Sequence, residues 1–79
     1  MFIVYVLQSE KDAERFYVGL CTDLEERLSN HNTGGTPYTA ELRPWKVIVS
    51  IHFENRQKAE AFERYLKSGS GREFCRRHF

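Results

Sequence analysis

Arg27 and His31 stand four positions apart in "LEERLSNHN", a spacing that projects both from one face of an α-helix. A planar guanidinium offers several donors in a fork that matches phosphate oxygens, and it stays charged at any relevant pH. The same arginine on an exposed helix can instead pair with Asp23 or Glu26. His31, near the helix end, also reads as a cation favoured by the C-terminal dipole. Tyr5 and Tyr17 lie in "FIVYVLQS" and "RFYVGL", where a tyrosine ordinarily packs and satisfies its hydroxyl. Gly19, two residues beyond Tyr17, weakens a strand and marks a close approach, so space is expected beside Tyr17. Glu63 raises a different question. On a helix it shares the face of Ala59, Phe62 and Leu66, where an ionised carboxylate needs compensation. Lys67, one turn on, and Arg27, across the fold, are candidate partners.

These residues must be positioned by elements legible in the apolar pattern. The two β-branched and aromatic runs, separated by polar "EKDAE", predict a β-hairpin. Thr22, three residues before Glu25, has the spacing of a capping box, and Leu24 and Leu28 share a face. A helix over about 23–32 follows, stopped by "TGG". "GGTPYTAELRP" has no sustained period and reads as an ordered loop with room for one helical turn. "WKVIVSIHF" is the strongest strand of the chain. Asn55 caps a helix over roughly 56–68, Gly69 ends it in a left-handed conformation, and Ser70 with Glu73 starts a short final helix. The order β-β-α-β-α-α gives an α+β fold, a three-stranded antiparallel sheet flanked by helices.

Seventy-nine residues predict a single domain over 1–79, near the size at which one hydrophobic core is only marginally sufficient. No apolar run approaches a membrane span, and "MFIVYVLQSEKD" lacks a basic region and a cleavage site, so it reads as a strand rather than a signal peptide. Cys21 and Cys75 form no CxxC pair and imply neither a disulfide framework nor a zinc ribbon. A reducing, cytoplasmic location is expected. The net charge of +1 hides an asymmetry: residues 1–45 carry four basic and seven acidic groups, residues 46–79 eight and four. From Arg64 onward Arg64, Lys67, Arg72, Arg76 and Arg77 face only Glu73, which suits a polyanion or a solvated helix face.

Tyr5, "FYVGL" with Tyr17 and Gly19, Arg27 and His31 four apart, and a glutamate on a later helix together resemble the GIY-YIG nuclease superfamily. The likeness extends through "LEERLSNHN", "RPWKV" and "LKSGSGREF" and is nearest to the compact bacterial branch. Ile3-Val4-Tyr5 lacks the glycine of the family's first motif, and Tyr17-Val18-Gly19 has valine for isoleucine. The resemblance implies a metal-dependent endonuclease that hydrolyses DNA phosphodiester bonds, with RNA left open and a role in DNA repair among those it allows. By the same resemblance Glu63 binds one Mg²⁺ or Mn²⁺, a hard cation that would answer the charge in the apolar stripe. Tyr17 is the implied general base, with Arg27 and the metal favouring its phenolate. Arg27 stabilises the phosphate, while Tyr5 and His31 bond the tyrosine pair, the water or the phosphate. Nucleic-acid contacts are expected from Arg27, Arg43, Lys67 and Arg72. Specificity would come from DNA structure, a protein partner or homodimerisation. The alternative is a non-catalytic nucleic-acid-binding or protein-interaction module on the same scaffold, which the low net charge favours.

The remaining polar residues are weaker signals. Tyr38, Thr39 and Arg43 lie in the loop, where contact with nucleic acid and turn formation are equally open. Trp45 opens the third strand as a core or interface residue, and His52 faces away from Ile51 and Phe53. Cys75 and His78 have no second pair to complete a zinc site. "GSGREF" is explained by a helix-to-helix turn, although its amides could approach a phosphate.

Overall fold

Three segments are runs of β-branched and aromatic residues, and others carry apolar residues at the helical period. The computed structural model, which describes residues 1–79, sorts them into β1 (Phe2–Ser9), β2 (Phe16–Cys21), α1 (Leu24–Asn32), α2 (Pro37–Ala40), β3 (Trp45–Phe53), α3 (Arg56–Lys67) and α4 (Gly69–His78). The strands form one antiparallel sheet in the order β2-β1-β3. The α+β class and the element order are those expected from the sequence, including one helical turn inside the Gly/Pro-rich segment.

Alternation along β1 divides the core. Val4 and Val6 pack with Val18, Ala59, Leu66 and Cys75 under α3 and α4. Ile3, Tyr5 and Leu7 pack with Cys21 and Trp45 on the other face, where Leu24 and Leu28 of α1 cover them. Removing a side chain buried like Leu66, 1% exposed, costs about 2–5 kcal/mol. No helix is long and apolar enough to cross a membrane.

Strand β3 departs from plain alternation. Trp45, Val47, Val49, Ile51 and Phe53 share parity, yet Trp45 and Val47 belong to the Tyr5 face whereas Val49 and Phe53 pack on the α3 face. The register explains this: Val6 pairs with Val49 and Leu7 with Val47, leaving Ile48 as the extra residue of a β-bulge. The bulge turns the start of β3 over and delivers Trp45 to the side that carries Tyr5.

Local chemistry sets the helix ends: two match the expectation and three correct it. Asp23, not Thr22, caps α1: its Oδ1 accepts from the Glu26 N–H at 3.1 Å, one residue later than the Thr22–Glu25 spacing suggested. Asn55 caps α3 as expected, accepting from the Lys58 N–H at 3.0 Å. At the end of α1, Gly34 adopts φ +82° and the Gly35 N–H returns to the Asn30 carbonyl at 2.9 Å, a glycine C-cap of the kind "TGG" predicts. Gly69 does not play that part for α3. Extended Ser68 (φ −77°, ψ 170°) ends α3 and at once caps α4, accepting from the Gly71 N–H at 3.2 Å. The serine hydroxyl competes well enough for the first amides of α4 that no left-handed residue is required, and α4 begins at Gly69 rather than at Ser70.

Candidate active site

Strand pairing sets the centre of the site. Tyr5 lies opposite Gly19, and a Cβ on Gly19 would overlap the Tyr5 Cζ and phenol oxygen. The glycine therefore makes room for Tyr5, across the sheet, rather than for Tyr17 beside it as the sequence suggested. Tyr5 is 0% exposed and its phenol meets His31 Nε2 at 3.1 Å. Tyr17 packs its ring against His31, centroids 4.7 Å apart, and stands 6.4 Å from the Tyr5 ring. Its hydroxyl makes no hydrogen bond within the protein, and the residue lines the groove described below.

His31 projects from α1 into this face and is 1% exposed. Its Nδ1 is 2.8 Å from Thr39 Oγ1, and the Thr39 hydroxyl donates its single proton to the Thr36 carbonyl at 3.3 Å. The threonine oxygen must then accept from the imidazole, so the proton resides on Nδ1. Burial, with the nearby Arg27 guanidinium second, lowers the His31 pKa and holds the ring neutral. Nε2 is left with a lone pair, and Tyr5 donates to it. Burial and then the Tyr17 phenol raise the Tyr5 pKa well above the ordinary phenol value, against the opposing charge of Arg27. Tyr5 is a fixed donor in this arrangement and is not available as a base.

Thr39 is itself anchored. Trp45 Nε1–H donates to its carbonyl at 2.8 Å. The Asn32 amide grips the Trp45 backbone from both sides, donating to its carbonyl at 3.0 Å and accepting from its N–H at 2.6 Å. Thr39 and Asn32 are the polar residues whose part sequence reasoning missed. Neither spacing nor composition signals them, because each acts across a turn or strand that only the fold closes.

Arg27 is exposed on α1 one turn before His31, and its charge acts on both the Tyr5 phenol and the His31 ring. Tyr5, Tyr17, His31 and Arg27 thus share one face of the sheet. Glu63 belongs to the opposite layer. It is half-buried on α3, its side chain 21% exposed, and its Oε2 takes the Lys67 ammonium at 3.2 Å, the i+4 partner weighed from the sequence. The expected convergence of all five side chains in one pocket is therefore not what the structure shows: four share a face, and Glu63 stands apart on α3, outside the groove that Tyr17 lines.

What joins the two layers is a groove of about 650 Å³ running round the free edge of β2, with Tyr17 and Trp45 on one wall and Leu66, Lys67 and Arg72 on the other. Lys67 and Arg72, expected to meet nucleic acid, line it. Arg43 does not: its guanidinium lies over Gly34 at the C-terminal end of α1, where the helix dipole favours a cation. Arg76, one of the basic residues noted after Arg64, lines the groove too, as does Arg15, which the sequence did not single out.

No group of three His, Cys, Asp or Glu side chains is close enough to hold an ion. An ion at Glu63 would rest on one carboxylate, whose Oε1 takes no protein donor, together with water and substrate. That donor set fits magnesium, which keeps most of its waters and commonly uses one or two carboxylates.

A paired-tyrosine hairpin, an arginine and histidine on the next helix, and a glutamate after the third strand are the parts of one domain type. The chain matches the family described as the GIY-YIG catalytic domain over residues 1–75, and it belongs to that family. Among its relatives, a UPF0213 protein of Lactococcus lactis subsp. cremoris is 41% identical over 64 residues, covering 80% of this chain and 63% of the relative. A UPF0213 protein of Clostridium perfringens is 40% identical over 68 residues, 85% of this chain and 71% of the relative. The structure-specific endonuclease subunit SLX1 of Scheffersomyces stipitis is 37% identical over 67 residues, 76% of this chain but 20% of that protein. The chain thus spans less than two thirds of the two Lactococcus relatives it matches and about a fifth to a quarter of the fungal endonuclease subunits.

Proposed function

We propose that this domain is a divalent-metal-dependent endonuclease that hydrolyses phosphodiester bonds of DNA. The observation that carries the reading is the division of labour between the two phenols: Tyr5 is locked as a donor to His31, whereas the hydroxyl of Tyr17, a residue that lines the groove, is uncommitted. Membership of the GIY-YIG family and the name of the SLX1 relatives support the reaction class.

Each residue has one task in this scheme. Arg27 presents its guanidinium to the scissile phosphate and opposes the charge that builds on it. Tyr17 acts as the phenolate, its own proton lost to solvent beforehand, and takes the proton of the attacking water at that oxygen. Tyr5 and His31 hold the Tyr17 ring in place, the imidazole by direct packing. Glu63 would hold the single Mg²⁺ or Mn²⁺, which when bound supplies neutralisation of phosphate charge and stabilisation of the leaving oxygen. Lys67 must yield the Glu63 carboxylate to an incoming ion. Because that ion pair is half exposed it costs about 1 kcal/mol or less to open.

The same ion pair favours a second reading, a nucleic-acid-binding module in which Lys67 permanently neutralises Glu63. Purified protein incubated with supercoiled plasmid, with Mg²⁺, Mn²⁺ or EDTA, separates the two. Metal-dependent nicking is expected, lost in Glu63→Gln and reduced about 10²–10³-fold in Arg27→Ala, the usual effect of deleting a transition-state donor. Both variants should unfold within about 0.5 kcal/mol of the parent, as exposed or half-exposed substitutions do. A Glu63→Gln protein that nicks at the parent rate would refute the scheme.

A further inference from the structure

Tyr38 is 82% exposed, the most exposed large apolar side chain in the molecule, and it is not at a loose end of the chain. It stands on α2, whose next residue, Thr39, is wholly buried and bound to His31. Its ring lies 6.2 Å from that of Tyr17, tilted by 54°, on the wall of the β2-edge groove. Four cations line the same groove, Arg15, Lys67, Arg72 and Arg76, against the single carboxylate of Glu14. Lys67 is engaged by Glu63 and Arg76 by Glu73, which leaves Arg15 and Arg72 without a carboxylate partner.

We infer that this wall binds an unpaired nucleotide: Tyr38 offers a stacking face to a base, and Arg15 and Arg72 hold the adjoining phosphates. The substrate class that follows is DNA carrying an unpaired stretch beside the bond to be cut. A base inside a duplex already has both faces covered by its neighbours, so an exposed aromatic ring gains contact only with a base outside the stack. Phosphate contacts from the two free arginines would track the strand without reading its sequence. The rigid attachment of Tyr38 to Thr39, and through it to His31, fixes the distance between the stacked base and the Tyr17 hydroxyl. The inference rests on the nuclease reading for the position of the cut, and its binding half can be tested without catalysis.

Binding is measured in EDTA by fluorescence anisotropy on two DNAs of equal length, a fully paired duplex and one with a splayed single-stranded arm. 2-Aminopurine in the arm next to the junction reports stacking by quenching. The splayed DNA is expected to bind at least tenfold more tightly, with the probe quenched. Tyr38→Ala is expected to lose about tenfold on the splayed DNA and none on the duplex, since one base–aromatic stack is worth roughly that factor or more. Tyr38→Trp should retain both affinity and quenching, and Arg72→Gln should weaken binding and lower its salt dependence. Equal affinity for the two DNAs, or parental binding and quenching in Tyr38→Ala, would overturn the inference. Plasmid nicking that persists alongside such a result removes this inference alone. Tyr38-dependent quenching by a protein that never nicks removes the nuclease reading alone.

Discussion

Replacing Thr39 by valine probes the centre of the site while preserving its shape. The threonine hydroxyl accepts from His31 Nδ1–H at 2.8 Å, with the two residues 0% and 1% exposed, so no water can substitute. Valine fills the same volume and leaves that donor unsatisfied, at a cost of about 1–3 kcal/mol. In a domain of this size each kcal/mol moves the midpoint by about 4–8 °C, so the variant should melt roughly 8–16 °C below the parent for a loss near ~2 kcal/mol. The imidazole has an escape, which is to move its proton to Nε2, but Tyr5 must then turn from donor to acceptor at 3.1 Å, and its own O–H is left without a partner. Two assays check this. Urea or thermal unfolding gives the loss, and nitrogen NMR of His31 gives the tautomer: Nδ1–H with a bare Nε2 in the parent, and a changed pattern in Thr39→Val. Thr39→Ser keeps the hydroxyl and should restore the parental tautomer. A parent that carries its proton on Nε2, or a Thr39→Val protein as stable as the parent, would refute the chain of donors drawn from Thr36 to Tyr5.

Further consequences are equally open to measurement. Gly71 sits where α4 crosses the end of α3, and a Cβ there would fall on the Tyr65 carbonyl oxygen and the Leu66 Cα, backbone atoms that cannot rotate aside. Gly71→Ala should cost about 3 kcal/mol or more, the upper end for overpacking. Gly69→Ala, with nothing within 4 Å, should be neutral or slightly stabilising, and equal melting of the two variants would contradict the packing described. His31 titrates in the folded state below its ordinary 6.5. The unfolded chain therefore binds more protons in the window beneath that value. The stabilisation is complete above 6.5 and declines as pH falls through the window, by up to about 1.4 kcal/mol per pH unit. Urea titrations at several pH values should show that acid limb in the parent and a flatter one in His31→Gln; a flat parental profile would count against a buried neutral imidazole.

Much of this arrangement could be read from residue types. The i, i+4 spacing placed Arg27 and His31 together because a helix of nine residues with a glycine stop leaves them no other relation. The β-branched runs carried the hairpin, and Asn55 announced α3. What escaped was the consequence of tertiary closure. Ile48 gives no local sign that it will bulge, since Trp45, Val47, Val49 and Phe53 look like one continuous face. The bulge carries Trp45 to the Tyr5 side, where its indole N–H meets the Thr39 carbonyl, a partner no local pattern announces. Gly19 was recognised as a close approach, but the approaching group comes from the neighbouring strand, which a single strand cannot disclose. Glu63 was legible as an anomaly in an apolar stripe. Its half-burial, with Lys67 one turn on as its partner, is disclosed only once α3 is packed on the sheet.

One residue, Ser68, is the whole connection between the last two helices. A joint that short has no slack, so the angular phase of α4 is inherited directly from α3. Each residue advances a helix by about 100°. Lengthening either helix by a single amino acid at this point would swing Arg72 and Arg76 a quarter-turn or more away from the β2 edge. Composition and net charge would barely change, yet the cationic wall would be dismantled. Evolution or an engineer could thus retune the nucleic-acid side of this domain by indel alone, leaving the tyrosines, the histidine and the sheet that carries them untouched.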